Sequence, residues 1–235
     1  MAKTTAKIVS AAEWTAARKE LLEKEKAFTK LRDELSRERR ELPWEHAEGG
    51  QRFEGPNGTV TLAGMFEGRS QLIVYHFMLA PGWKEGCSGC SFIADHVDGM
   101  LPHLRARDIT WAAVSRAPLA EIEAFKQRMG WGFPWYSSHG TDFNRKYQAT
   151  REPEAKAGEK TLYNYQLQVF DSEERPGLSV FFKDAAGEVF HTYSTYARGL
   201  DILLGTYNYI DLTPVGRNEA GFKHGMAWVR HHDRY

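Results

Sequence analysis

The stretch Gln71-Leu72-Ile73-Val74-Tyr75-His76-Phe77-Met78-Leu79, followed by Pro81-Gly82-Trp83 and Cys87-Ser88-Gly89-Cys90, decides the fold of this 235-residue chain. The first nine residues are almost all apolar, which is typical of a central strand buried on both faces. Pro81 and Gly82 then break the strand. After the cysteines, apolar residues recur at spacings of three and four and predict an amphipathic helix of about four turns. These residues are Phe92, Ile93, Val97, Met100, Leu101 and Leu104.

Cys87 and Cys90 are the only cysteines in the sequence. Two cysteines placed at random would lie three residues apart in only about one case in a hundred. At the start of a helix, residues at this spacing lie about one turn apart, so their sulfurs can reach bonding distance. Cys87 would lie near the free N–H groups and the positive end of the helix dipole, which favour a thiolate. We therefore predict a reversible disulfide, with Cys87 as the nucleophile and Cys90 as the resolving thiol.

Zinc binding and an inert cysteine pair are the alternatives. A structural zinc has four ligands, so two histidines would have to complete the site. On the predicted helix, His103 would lie about 20 Å along the axis from Cys90, and His96 would be turned about 240° away. The distant pair His231-His232 stays open as a source of ligands. A purely structural disulfide also stays open, although a disulfide that closes so short a loop restricts the unfolded chain little. We predict no metal, and no organic cofactor because no glycine-rich nucleotide loop follows a strand.

Composition and charge exclude several classes of partner. The chain has 31 basic and 31 acidic residues, which gives no electrostatic basis for binding nucleic acid or an anionic membrane. No apolar run approaches the ~20 residues that span a bilayer, and residues 1–7 lead into no hydrophobic signal core. We therefore predict a cytoplasmic protein without a nucleic-acid or membrane partner, in which a cysteine pair more often does chemistry than staples the fold.

The N-terminal arm, residues 1–50, is predicted to be mainly one long helix over residues 11–42. Ser10 and Glu13 have the spacing of a capping box, and Pro43 ends the helix. Its sparse apolar stripe consists of Trp14, Leu21, Leu22, Phe28, Leu31 and Leu35. A helix this long and polar buries little within its own arm. We expect it to pack across the main domain or against a second subunit, which would make the protein a homodimer.

The remaining elements favour one α/β domain over residues 51–217. A second buried strand over residues 108–115 and a helix over 118–129 continue the alternation that gives a parallel sheet with right-handed crossovers. Residues 53–62 are predicted to form a hairpin with Asn57-Gly58 at its tip. Residues 178–193 are predicted to form a second hairpin, and residues 199–207 a short final helix.

Other segments have structural interpretations. Residues 151–160 are predicted as an exposed insertion, and residues 218–235, including His231-His232-Asp233, as a polar C-terminal tail. His76 is predicted to be a hydrogen-bonded core histidine. The aromatic residues between 131 and 136 are predicted to pack in the core and at the rim of the site.

Several stretches resemble a bacterial family described as domain of unknown function 899, a group of thioredoxin-like predicted dithiol-disulfide oxidoreductases. The stretches are residues 68–78, 86–92, 114–119, 130–138 and 191–199, and the resemblance runs from about residue 14 to residue 217. It implies an α/β, thioredoxin-like fold with a long N-terminal helical extension and insertions. It also implies a thiol-disulfide oxidoreductase that acts on a protein or small-molecule disulfide and takes electrons from an unknown donor.

The chain departs from thioredoxins at the residues around the site. Thioredoxins carry Trp-Cys-Gly-Pro-Cys, whereas Gly86 precedes Cys87 here and Ser88-Gly89 fills the middle. Thioredoxins also place a cis-proline opposite the cysteines. Alignment puts Gly177 at that position and Pro176 one residue early. The residues expected to line the site are therefore Trp83, Ser88, Gly89, Pro176 and Gly177, together with Arg175.

Peroxiredoxins provide an alternative function. The order of Val114-Ser115, Pro118, Phe125 and residues 130–134 resembles their middle section. Lys84 stands where their threonine precedes the nucleophilic cysteine, and Arg175 resembles their peroxide-site arginine with a slip of one residue. A peroxiredoxin-like thiol peroxidase is thus the second hypothesis. A non-catalytic, redox-responsive binding protein is the third, since a sensor and a reductase use the same dithiol.

Overall fold

The computed structural model describes residues 6–152, 155–156, 158–169 and 171–235. Its strands are β1 (Glu45–His46), β2 (Arg52–Gly55), β3 (Gly58–Thr61), β4 (Gln71–His76), β5 (Ile109–Ser115), β6 (Trp135–Ser137), β7 (Lys160–Tyr163), β8 (Gln166–Val169), β9 (Gly177–Lys183) and β10 (Val189–Tyr196). Its α-helices are α1 (Ala11–Arg40), α2 (Ser88–Ala94), α3 (Leu101–Arg105), α4 (Leu119–Arg128), α5 (Phe143–Lys146) and α6 (Gly205–Ile210). Short 3₁₀ helices cover Gly64–Phe66, Asp98–Met100, Ala197–Leu203 and His232–Arg234.

The main sheet has the strand order β1-β10-β9-β4-β5-β6-β2-β3. Strands β4, β5 and β6 are parallel, and on the other side of β4 the sheet continues with β9, which runs antiparallel to β4, and then β10, which runs antiparallel to β9. This arrangement, with the two cysteines at the start of the helix after β4, is the thioredoxin-like α/β fold that the sequence predicts. The hairpin β2–β3 joins the opposite edge through β6, and β7 pairs only with β8 among the described residues.

Strand β4 lies between β9 and β5 in the sheet, and both of its faces are covered. Leu72 and Val74 pack on one face with residues of β2, β5 and α5. Tyr75 packs on the other face, in the larger cluster that holds α2 and α4. His76 is also buried, and its Nε2 lies 2.9 Å from the Ser179 hydroxyl, which confirms it as a hydrogen-bonded core histidine. Burial lowers the pKa of His76 to about 4, so its ring is neutral near pH 7.

The predicted four-turn helix after the cysteines is wrong in its length. Helix α2 ends at Ala94, a turn follows, and α3 begins with Pro102 in its first turn. Proline lacks the N–H that a continuous helix would need there, but it is well tolerated at a helix start. The side chain of Asp95, just after α2, accepts a hydrogen bond from Trp131 Nε1 at 2.9 Å and ties the break to the core.

The predicted hairpin tip and the predicted final helix differ from the structure in their positions. The tip of the β2–β3 hairpin is Pro56-Asn57, and Gly58, with φ of +103°, opens β3. The single final helix is instead the 3₁₀ helix Ala197–Leu203 followed by α6. Gly205, where α6 begins, approaches the ring of His96 so closely that a Cβ there would lie 3.3 Å from it.

Helix α1 has the predicted cap, since the Ser10 and Glu13 side chains form the capping box. No residue of α1 is buried, and its apolar stripe is exposed; the exposed fraction is 60% for Trp14 and 65% for Phe28. The expectation that α1 packs across the main domain is therefore wrong. Association with a second subunit stays a prediction.

The short strands β6, β7 and β8 were not predicted from the sequence. The aromatic residues around β6 are buried as predicted, namely Trp131, Phe133 and Trp135. Of the predicted insertion 151–160, residues 153, 154 and 157 lie outside the described part, and the remaining residues are exposed or half-buried. Within the described ranges, no helix is both long enough and apolar enough to cross a membrane.

Candidate functional site

The two cysteines lie where the sequence places them, at the start of the helix after β4. Cys87 precedes the first residue of α2, and Cys90 lies in the first turn. The Cys87 N–H donates to the carbonyl of Met78 at 3.0 Å, and the Cys87 carbonyl accepts from Ser91 N at 2.9 Å and Ser91 Oγ at 3.0 Å. Both thiols are free. Cys87 is half-buried, whereas Cys90 is only 1% exposed.

The two thiols have opposite acidities. A hydrogen bond from the Cys90 thiol lowers the pKa of Cys87 to about 6, and the N–H groups of Cys90 and Gly89 act in the same direction against the effect of burial. Burial and the neighbouring Cys87 sulfur raise the pKa of Cys90 well above its usual value. Near pH 7, Cys87 is therefore a thiolate held by the helix start, and Cys90 is a thiol. The acidities have the predicted order, and the roles of nucleophile and resolving thiol stay a prediction.

A cavity of about 480 Å³ opens beside the dithiol. It is lined by Tyr75, Met78, Cys87, Ser88, Gly89, Cys90, Ile93, Pro176, Ala197, Leu200, Asp201, Leu204, His224, Gly225 and Met226. Of the expected site-lining residues, Ser88, Gly89 and Pro176 line this cavity with the cysteines. Trp83, Arg175 and Gly177 do not.

Arg175 serves a different part of the molecule. It is 1% exposed, donates from Nη1 to the carbonyl of Leu162 at 2.9 Å and also donates to the Thr161 hydroxyl. Its guanidinium lies 5.4 Å from the centre of the Tyr163 ring. It lines a separate cavity of about 410 Å³ to which neither cysteine contributes. The expectation that Arg175 lines the cysteine site is therefore wrong, since its guanidinium is used to join β7 to the chain before β9.

Gly177 and Trp83 do not line the cavity either, because of how each packs. Gly177 is the first residue of β9, and a Cβ there would lie 2.7 Å from Cδ1 of Tyr196, so the aromatic ring occupies that space. Trp83 packs against the same apolar cluster as Cys87 without reaching the cavity lining. Pro176, one residue before the position at which thioredoxins carry their proline, is the residue of this loop that meets the dithiol cavity.

Gly86 fixes the approach of the chain to Cys87. A Cβ at this position would lie 2.5 Å from Cε1 of Phe77 and 2.8 Å from Cε1 of Phe125. Only glycine fits between the two rings without a shift of the loop. The absence of a side chain lets the loop before Cys87 lie directly on the aromatic core.

The C-terminal residues 218–235 supply part of the site, which sequence reasoning missed. Met226 lies over the dithiol loop, with its Cε 3.3 Å from where a Cβ of Gly89 would be. Glu219 Oε1 holds this segment, since it accepts from Met226 N at 3.0 Å, from Trp228 Nε1 at 2.7 Å and from the Tyr207 hydroxyl. The apolar residues Met226, Trp228 and Val229, close together in this segment, are the signal that could have indicated packing.

The interpretation of residues 231–233 as a polar tail is wrong. His231 is 4% exposed, and its Nε2 lies 2.8 Å from the carbonyl of Gly86. His232 Nδ1 lies 2.6 Å from Asp95 Oδ1, and Asp233 pairs with Arg128 at 2.9 Å. Buried polar groups need such partners, so this end of the chain is fixed against the loop that carries Cys87.

The candidate zinc ligands named from the sequence do not come together. In the described ranges, no group of three or more His, Cys, Asp or Glu side chains is arranged to hold a metal ion. In particular, His231 is committed to the Gly86 carbonyl and His232 to Asp95.

Comparison with known proteins gives the family and distant structural similarity. No curated protein sequence matches the chain. A cysteine-to-serine mutant of Xanthomonas campestris peroxiredoxin Q is 13% identical, with a TM-score of 0.45 over 72% of this chain and 98% of that one. A Xylella fastidiosa PrxQ mutant is also 13% identical, with a TM-score of 0.45 over 71% and 94%. Peroxidoxin BcpB of Mycobacterium tuberculosis is 12% identical, with a TM-score of 0.45 over 72% and 97%.

Similarity at this level says nothing about activity. The sequence match is more extensive, because the signature of one bacterial family covers residues 3–235, nearly the whole chain. The chain therefore belongs to the family of bacterial proteins of unknown function called DUF899.

Proposed function

We propose that this protein is a thiol-disulfide oxidoreductase that uses Cys87 and Cys90 as a reversible dithiol. The observation that carries the proposal is the opposite acidity of two thiols in one helical turn beside an open cavity. In the first step, the Cys87 thiolate attacks one sulfur of a substrate disulfide. A mixed disulfide forms, and the other substrate sulfur leaves as a thiolate that takes a proton.

The second step uses Cys90. Once Cys87 is in the mixed disulfide it carries no charge, so its contribution to the raised pKa of Cys90 disappears. Cys90 then loses its proton to the departing substrate thiolate and attacks Cys87 Sγ. The Cys87–Cys90 disulfide forms, and the second substrate thiol leaves. Two electrons pass from the protein to the substrate, the proton of Cys90 goes to one substrate thiol and a proton from water goes to the other, and an electron donor must later restore the dithiol. A cytoplasmic location stays a prediction from the sequence.

The observations favour this reaction over peroxide reduction. A peroxidatic cysteine needs donors that stabilise charge on the leaving peroxide oxygen. Arg175, the residue expected to supply them, lies outside the cysteine cavity, and none of the described cavity-lining residues is a lysine or arginine. Attack on a disulfide requires only an accessible thiolate and a good leaving thiol.

The test is a redox titration of the protein with mass-spectrometric counting of free thiols. We expect both thiols to disappear together at one potential, and the reduced protein to reduce insulin or a small model disulfide. Reaction with hydrogen peroxide should be little faster than that of a free thiolate. Two thiols that never pair would contradict the proposal, and rapid peroxide oxidation abolished by Arg175→Ala would establish the peroxidase. A pair that cycles but reduces no disulfide would indicate a redox-responsive binder.

The roles of the two cysteines have a separate test in alkylation as a function of pH. Labelling of Cys87 should reach half its maximal rate near pH 6, whereas Cys90 should stay unlabelled. Because the pKa of folded Cys87 lies below the usual 9.0, the thiolate stabilises reduced protein fully above about pH 9, and this contribution is lost as the pH falls through about 6. The free energy of unfolding relative to Cys87→Ser should follow the same curve. Cys90→Ser should trap a mixed disulfide, and Cys87→Ser should not.

A further inference from the structure

The lining of the dithiol cavity restricts the chemistry of its substrate. Most of its side chains are apolar, among them Met78, Ile93, Leu200, Leu204 and Met226. Asp201 is the one lining residue of permanent charge in the described part of the chain. Its Oδ2 is already paired, with Arg198 at 2.7 Å and Arg217 at 3.4 Å.

Charge therefore selects against ionic substrates. A carboxylate that enters this cavity would lose its water without gaining a lysine or arginine partner from the lining, and the Cys87 thiolate would repel it. An ammonium group would also lose its water, and because Asp201 is paired with two arginines, the Cys87 thiolate is the one unpaired anion that it would meet among the described lining residues. An uncharged substrate has neither cost and gains by burying apolar surface against the leucine and methionine side chains.

Size points in the same direction. A volume of about 480 Å³ lies within the range of sites for small molecules, roughly 300–1,000 Å³. Residues His224, Gly225 and Met226 form one wall, which Glu219 holds from behind. A compound of low molecular weight can fill this volume, whereas a folded protein can place only the residues around its disulfide there.

We propose that the dithiol acts on uncharged, apolar disulfides of low molecular weight, an inference that rests on the proposed oxidoreductase function. One turnover converts the substrate disulfide into two substrate thiols while Cys87 and Cys90 become a disulfide. The S–S bond of the substrate breaks and the protein S–S bond forms; one product thiol takes the proton of Cys90, and the other takes a proton from water.

The experiment measures single-turnover oxidation of the reduced full-length protein by a set of disulfides. The set comprises dipropyl disulfide, dianionic dithiodipropionate, dicationic cystamine and insulin, and each rate is divided by the rate with dithiothreitol. We expect the corrected rate for dipropyl disulfide to exceed those for the two charged compounds and for insulin by roughly tenfold or more. An equal or higher corrected rate for an ionic disulfide or for insulin would overturn the substrate class and leave the oxidoreductase intact. Failure with every disulfide would overturn both.

A matched pair of variants tests the wall itself. Met226→Lys adds a cation to the lining and should raise the dithiodipropionate rate relative to dipropyl disulfide by roughly tenfold. Met226→Leu keeps the wall apolar and should leave the ratio unchanged. If both variants shift the ratio equally, the preference does not come from the charge of the lining, and the proposal fails.

A second inference concerns α1 and rests on an independent observation. Trp14, Leu21, Phe28 and Leu35 are seven residues apart and all exposed. A seven-residue repeat places them on one seam of a two-stranded coiled coil, where Leu31 is also in the seam. An exposed apolar stripe of this length on a 30-residue helix marks an interaction surface.

Charges beside the seam identify the partner as a second copy in parallel orientation. In a parallel pair, the residue just before each of the four repeat positions on one helix faces a residue on the other helix whose number is five higher. Two of the four resulting pairs are opposite in charge, one is alike and one is neutral: Glu13–Arg18, Glu34–Arg39, Glu20–Glu25 and Ala27–Arg32. In the antiparallel pair that sets Leu21 against Leu31, the facing charged pairs are all alike: Glu20–Glu34, Arg18–Arg32 and Glu25–Glu25.

We infer that two copies of the chain associate through a parallel coiled coil of their α1 helices. Analytical ultracentrifugation should show a dimer at micromolar concentration that Phe28→Glu converts to a monomer. Lys19→Glu introduces the same residue on the opposite side of the helix and should leave the dimer intact. A monomeric wild-type protein, or a dimer that survives Phe28→Glu, would overturn the interface.

The orientation has its own test. Leu21→Cys in a Cys87→Ser/Cys90→Ser background should form an interchain disulfide on oxidation, because identical seam positions meet in a parallel pair. No disulfide in a protein that still dimerises would overturn the parallel arrangement.

Discussion

Helix α1 and residues 218–235 lie at opposite ends of the chain, and in each the burial of side chains is the opposite of what the sequence suggests. Helix α1 carries six large apolar side chains and buries none of its residues. Residues 218–235 include many charged and polar side chains, yet Val229 and His231 are buried, and the segment forms a wall of the dithiol cavity. Local sequence determines the helix and its cap, whereas burial depends on what the rest of the fold places opposite a segment.

Two deletions give the largest test of this contrast. Removal of residues 218–235 should lower the free energy of unfolding by at least ~3 kcal/mol, because it strips Val229, His231 and the Trp228 ring from the core. Removal of residues 1–40 should leave the unfolding of the remaining domain unchanged at concentrations where the protein is monomeric. Chemical denaturation of both proteins measures the difference. Equal losses of stability would mean that α1 packs on its own domain after all.

Two tryptophans, one in each region, allow the same test with single substitutions. Trp228 makes edge-to-face contact with Phe92 at 5.7 Å and donates to Glu219. Trp228→Ala should therefore cost about 2–3 kcal/mol. Trp14→Ala, in α1, should cost nothing measurable in the monomer, because the ring is exposed. Thermal melts at low concentration provide the measurement, and a lower Tm for Trp14→Ala would contradict the contrast.

Glu219 links the stability of the C-terminal segment to the reactivity of Cys87. Glu219→Ala leaves Met226 N–H and Trp228 Nε1–H without their acceptor and should cost about 1–3 kcal/mol. It should also speed the alkylation of Cys87, since Met226 no longer covers the loop. Glu219→Gln keeps an oxygen acceptor and should lose much less on both measures. If Glu219→Ala alters neither quantity, the carboxylate does not hold the wall.

The smallest effect is expected at the helix cap. Ser10→Ala removes the hydroxyl that Glu13 N–H donates to at 3.3 Å and should fray the first turn of α1. Faster amide hydrogen exchange at residues 13 and 14 would report the fraying. The Tm of the domain should not change, because no residue of α1 contributes to its core. A fall in Tm would show that the arm and the domain unfold together.

Features that depend on neighbouring residues were predictable from the sequence. The capping box of α1, the buried β4, the β9–β10 hairpin and the placement of Cys87 at a helix start all follow from local patterns, and all are confirmed. They are predictable because capping and alternation act within a few residues.

Contacts between distant residues were not predictable in the same way. His231 reaches Gly86 across 145 positions of sequence, and nothing near His231 indicates its partner. Arg175 shows the limit of alignment by motif, because its role depends on whether its side chain points to the cysteines or to β7. Strand β6, with three residues, is too short for its period to be recognised.

The fit of Gly86 between two aromatic rings restricts how members of this family can diverge. A larger residue at position 86 is compatible with the fold only if Phe77 or Phe125 becomes smaller, so the three positions should change together over evolutionary time. The drift of residue 86 is therefore coupled to two positions that lie nine and 39 residues away. An alignment of the family should show glycine paired with aromatic residues at these positions, and compensating changes where the glycine is lost.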